Sequence, residues 1–84
     1  MSKMITKGFA LVDDGGTLHS LLEGVTKEAA ELQRDALVAA PDIVVCVFEV
    51  EANRDAWDRA LMLIAICDRK SEAWQVILTE GRVL

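Results

Sequence analysis

The chain has 84 residues, enough for one domain spanning 1–84 and a small core. Its 52% apolar content exceeds the usual share for a soluble domain, and its net charge is −5. Residues 13–58 hold eleven acids against three bases, a field that excludes nucleic acid as a direct ligand and favours a basic protein partner.

Met4 to Val12 reads as a first strand, with Phe9 and Leu11 on one face and Ala10 and Val12 on the other. Gly8 weakens it and marks a candidate bulge. Asp13-Asp14-Gly15-Gly16 is a tight-turn signal, with Asp14-Gly15 suited to a type I′ hairpin. That turn sets Val12 opposite Thr17 and Leu11 opposite Leu18, and makes Thr17 to Leu22 the second strand.

A helix follows over Thr26–Ala40. Val25, Ala29, Leu32, Ala36 and Ala40 recur at helical spacing and form its expected inner face. Lys27, Glu28, Glu31, Arg34 and Asp35 fall on the other side. Thr26 is the expected N-cap, and Pro41 ends the helix because it disfavours helical dihedrals at Ala40. Ile43 to Val50 then reads as the central strand, rich in β-branched residues and apolar on both faces. Glu49 and Glu51 bring its far end to water.

Asn53 is the expected cap of a second helix, with Trp57, Ala60, Leu61 and Ile64 as its stripe. Met62, Leu63 and Ile66 make that helix apolar nearly all round, as burial on several sides would require. Trp74, Val76 and Leu78 alternate with Gln75 and Thr79, which predicts a final strand at about 73–79. Two alternatives stand beside it. Ser71 as N-cap and Gly81 as C-cap would make 72–80 a third helix, and Leu61–Cys67 could pair with Trp74–Thr79 as a hairpin. The expected class is α+β: a small antiparallel sheet of hairpin and central strand, a helix on one face, and a C-terminal helix and final strand covering the other.

The chemistry in the sequence is sparse. Cys46 and Cys67 lie in apolar runs with no Cys-x-x-Cys and no clustered histidine, so buried free thiols in a reducing cytosol are expected. No metal, cofactor or catalytic residue is expected. The paired aspartates at 13 and 14 lack the spacing of a calcium loop, and the glycines at 15 and 16 lack a P-loop's Gly-Lys-Ser/Thr. His19 and Ser20 are strand neighbours and point to opposite faces, so His19 is read as facing solvent.

One surface feature remains. Glu49 and Glu51 close the central strand, and Asp55 and Asp58 follow on the first turns of the second helix. The plain reading is that acids near a helix start complement its dipole. The sharper one is a partner-binding patch made of Glu49, Glu51, Asp55 and Asp58 that meets a basic protein surface. Trp57 and Trp74 are read as core residues, with an interface role as the alternative. No segment is long and apolar enough to cross a bilayer, no signal peptide is visible, and a homodimer through the apolar run around Leu61–Cys67 is expected.

The hairpin–helix–strand order over residues 4–51, with the helix start Thr26-Lys27-Glu28-Ala29-Ala30, resembles small proteins encoded by bacteriophages and mobile elements. Anti-CRISPR proteins belong to that population: short, often acidic, and acting by occluding a nuclease complex. The resemblance implies a non-enzymatic inhibitor in the cytoplasm of a bacterial host. The same stretch is similar to the RNase-H-like domain of Hic-type antitoxins, whose helix start Gly24-Val25-Thr26-Lys27-Glu28-Ala29 fits. The third strand and Pro-Gly-Cys loop of those antitoxins are missing here. That second resemblance implies an antitoxin-like or oligomeric structural protein.

Overall fold

The computed structural model describes residues 4–37, 44–66 and 69–84. It is an α+β fold. Strands β1 (Ile5–Asp13), β2 (Leu18–Glu23), β3 (Val45–Asn53) and β4 (Gly81–Val83) form one antiparallel sheet in the order β2-β1-β3-β4. Helix α1 (Lys27–Leu37) lies against β1 and β3, while α2 (Arg54–Ala65) and α3 (Lys70–Glu80) pack together over the other face.

The main core sits between the sheet and the α2–α3 pair. Ala10 and Val12 of β1, Leu18 and Leu21 of β2, and Val50 and Ala52 of β3 supply the sheet side. Ala56, Trp57 and Ala60 of α2 and Ala73, Trp74 and Ile77 of α3 supply the helix side. Both tryptophans are therefore core residues. Alternation along the strands turns Leu11 and Val45 the other way, where they are buried beneath α1 with Ala30.

The hairpin departs from its expected register. Val12 faces Leu18, and Leu11 faces Ser20, with a bulge between Leu11 and Val12. The loop has three residues rather than the two of a I′ turn: the amide of Asp13 bonds the carbonyl of Thr17, the amide of Gly16 bonds the carbonyl of Asp13, and of the two turn glycines Gly16 takes a positive φ, of 84°. The Asp13 carboxylate also accepts from the amides of Gly15 and Thr17, which holds the wider loop. Gly8 is not the bulge. A Cβ there would strike the carbonyl of Leu22 and come within 2.6 Å of the Trp57 ring, so glycine is what lets α2 seat on the sheet.

Thr26 caps α1 as expected, its hydroxyl accepting from the amide of Ala29 at 3.1 Å. The inner face differs from the expected stripe. Ala30 is buried, Ala29, Glu31 and Arg34 are half-buried, and Leu32, 70% exposed, and Ala36 face solvent. Small residues at 29 and 30 let the helix approach the sheet closely, and that contact outweighs the Leu32 side chain. The expected helix end at Pro41, Ala39 and Ala40, and the strand start at Ile43, lie outside the described residues.

Strand β3 is central, paired with β1 on one side and β4 on the other, and it runs on to Asn53. Asn53 caps α2 as expected, accepting from the amide of Ala56 at 2.9 Å. The expectation that α2 is buried nearly all round does not hold. Trp57 and Ala60 are buried, Leu63 and Ile64 pack against the core, and Leu61, Met62 and Ile66 are exposed. Residues 73–79 are helical, not strand. Ala73, Trp74 and Ile77 converge on the core at helical spacing, while Val76 and Leu78 fall to the flanks. Gly81 is the C-cap, as the helical alternative required, but Arg69 rather than Ser71 occupies the N-cap position. The final strand is the three-residue β4, and Gly81 opens it because a Cβ would press on β3 at Glu51 and Ala52.

Candidate partner-binding surface

The four acids Glu49, Glu51, Asp55 and Asp58 occupy two places. Glu49 and Glu51 alternate with Val50 and Ala52 on β3, so they project from the sheet face that carries α1. Asp55 and Asp58 sit on the first turns of α2, on the opposite side of the sheet. The structure does not bring the four into one contiguous patch.

Two of the four are already paired within the chain. Glu51 binds Arg82, and register places Lys7 and Arg82 on either side of it across β1 and β4. Asp58 accepts from Arg54, which also reaches Glu23 at 2.8 Å. The hydrogen bond from Arg54 holds the Asp58 carboxyl below its ordinary pKa, and the pair raises that of the guanidinium in return. The Arg54 pairs are solvent-exposed, so they orient side chains more than they stabilise the fold, whereas the Glu51 side chain, expected to emerge into water, is only 12% exposed. Glu49 is exposed and makes no ion pair among the described residues. Asp55 is also exposed, and it feels the nearby Arg59, which pairs with Glu80 of α3.

Glu49 borders a depression of about 250 Å³ lined by Phe9, Lys27, Val47, Phe48, Glu49 and Leu84. It lies beside the first residue of α1, Lys27, and the C-terminal Leu84. On the other face, Phe48 leans on Trp74 with ring centroids 5.6 Å apart, and Phe48 stays 36% exposed. Exposed apolar side chains thus gather on the face that carries α2 and α3: Val44 and Phe48 on and beside β3, and Leu61, Met62 and the C-cap Ile66 at the end of α2. Sequence periodicity hid these, because it counts apolar residues without showing which neighbours cover them.

Two further expectations are corrected. Cys46 is exposed rather than buried, because its side chain lies on the helix-bearing face beyond the reach of α3. Its predicted companion Cys67 lies outside the described residues. His19 is partly buried and bonded, its Nε2 lying 2.9 Å from the Asp13 carboxylate. The bulge beside Val12 releases His19 from strict alternation and turns it toward Asp13. Thr17, chiefly, together with His19 and Gly15, holds the Asp13 carboxyl below its ordinary pKa, against the opposing effect of burial. With its oxygens engaged by two turn amides and the imidazole, Asp13 is used to fix the hairpin. The buried indole N–H of Trp57 has no hydrogen-bond partner among the described residues.

Among the described residues no three His, Cys, Asp or Glu side chains converge to hold a metal, and no helix is long and apolar enough to cross a membrane. Comparison with protein-family models, curated proteins and solved structures finds no match to this chain.

Proposed function

We propose that this chain is a non-enzymatic protein-binding module, and that it acts as a phage or mobile-element inhibitor covering a cationic nucleic-acid-binding surface of a bacterial defence complex. The observation that carries the reading is the depression on the α1 face, where Glu49, a carboxylate in no ion pair among the described residues, borders the apolar Phe9, Val47 and the exposed Leu84. A surface of that kind suits a partner offering apolar contact ringed by lysine or arginine. The net charge of −5 would speed its approach to a basic surface.

The test is functional. Bacteria carrying a nucleic-acid-guided nuclease are challenged with a targeted phage, with and without the expressed chain. Restored plaquing is expected, together with a salt-sensitive loss of DNA binding by the purified nuclease complex. Unrestored plaquing across a panel of such systems, with no binding to their purified complexes, overturns the proposal. A second reading, an antitoxin-like or oligomeric structural protein dimerising through its C-terminal half, is favoured by the exposed Leu61, Met62 and Ile66. Rescue of growth when the chain is expressed with an adjacent small toxin gene would select it.

A further inference from the structure

We infer that the chain associates with a second copy of itself through the outer edge of β3, pairing Val45 of one copy with Val47 of the other about a two-fold axis at Cys46. In an antiparallel ladder each residue turns both its N–H and its C=O to the same side, and the side alternates along the strand. Asp14 donates to the carbonyl of Val44, and Arg54 donates to that of Met4 across the same β1–β3 pair, so the even residues of β3 face β1. Leu84 donates to the carbonyl of Glu49 from the other side, so the odd residues face outward. Strand β4 pairs with 50–52 and Leu84 occupies Glu49. Val45 and Val47 are left, and no described strand pairs with them on that side.

This edge lacks the devices that keep edges apart. The opposite edge, β2, is interrupted by the bulge at His19 and ends in Glu23 and Gly24. Residues 44–48 carry no charge, no proline and no glycine. Their exposed side chains, Val44, Cys46 and Phe48, form a period-two apolar row on the helix-bearing face.

A second copy fits this edge because the edge is complementary to itself. Two outward residues, separated by one inward residue, match the same set run antiparallel in one central register: 45 against 47, and 47 against 45. Each pair exchanges both main-chain bonds. The register sets Val44 opposite the partner's Phe48 on the same face. It also sends the two Glu49 side chains to opposite ends of the paired stretch, so the nearest like charges separate. Cys46 meets its own counterpart in a non-hydrogen-bonded pair, where Cα atoms approach to about 4.5 Å, within the span that a disulfide bridges. The contact is short, so association in the micromolar range is expected.

The test uses the full chain. Sedimentation of the wild type at about 100 µM, above the range in which micromolar association saturates, should show a dimer. Cys46→Lys and Cys46→Glu place like charges across the axis, and each should raise the dissociation constant tenfold or more. An equimolar mixture of the two should form a heterodimer, a rescue that an unfolded variant could not give. As a second measurement, mild oxidation of Cys67→Ser, which leaves Cys46 as the remaining thiol, should give a covalent dimer. A monomeric wild type, a mixture that stays monomeric, or a dimer indifferent to both charges but lost in Met62→Glu would overturn the pairing.

Discussion

Asp13 is the residue on which the hairpin turns. Its carboxylate accepts from the amides of Gly15 and Thr17 and from His19, so three donors lose their partner when it is removed. Asp13→Ala should lower stability by about 1–3 kcal/mol, the range for unsatisfied polar groups that are not fully exposed. The same contacts hold the Asp13 carboxyl below its ordinary pKa. A depressed carboxylate stabilises the fold above its unfolded pKa, near ~3.9, and that stabilisation fades as pH falls through the lower folded value. Urea melts between pH 7 and pH 2 should therefore show a steeper acid loss for the wild type than for Asp13→Asn. Parallel curves for the two would remove Asp13 from the account of acid stability. Gly8 admits no side chain, because a Cβ there would lie 1.9 Å from the Leu22 carbonyl oxygen and 2.6 Å from the Trp57 ring.

At the scale of elements, the helices differ in how they are held. α2 has a side-chain cap from Asn53 and buries Ala56, Trp57 and Ala60. α1 has a cap from Thr26 but buries only Ala30 among its described residues. Helical stability in proteins comes mostly from packing of an apolar face, so α1 should open well before the sheet does. Asn53→Ala should lower global stability by about 1 kcal/mol, while Thr26→Ala should mainly speed amide exchange along α1. Hydrogen exchange read by mass spectrometry separates the two. Equal protection of α1 and β3 would show that α1 belongs to the cooperative core.

For the whole molecule the question is whether charge or a located surface drives association. Electrostatic steering mainly raises the on-rate and weakens with salt. Since Glu51 and Asp58 are held by Arg82 and Arg54, Glu49 and Asp55 are the two of the four acids outside close ion pairs among the described residues. If the inhibitor reading holds, reversing both to lysine should slow association with a basic partner by about tenfold or more. Reversing Glu28 and Asp35 on α1 makes the same charge change elsewhere. Equal losses from the two double variants in stopped-flow binding would leave only net charge, and the located surface would be abandoned.

The amino-acid order alone determined the parts with local causes. The place of the turn at Asp13–Gly16, though not its width or register, the caps at Thr26 and Asn53, and the apolar strand after Pro41 each rest on neighbours within a few residues. The α+β class follows from them. Tertiary structure decided what depends on distant neighbours. Alternation of Trp74, Val76 and Leu78 matched a strand, but the sheet face opposite α1 needed a second helix beside α2. Ala73, Trp74 and Ile77 meet that need only when 70–80 is helical. Leu32 and Cys46 read as buried and are exposed, because burial requires a neighbour that lies far along the chain. The acids at 49, 51, 55 and 58 are close in sequence, yet the pleat of β3 and the start of α2 send them to opposite sides of the sheet.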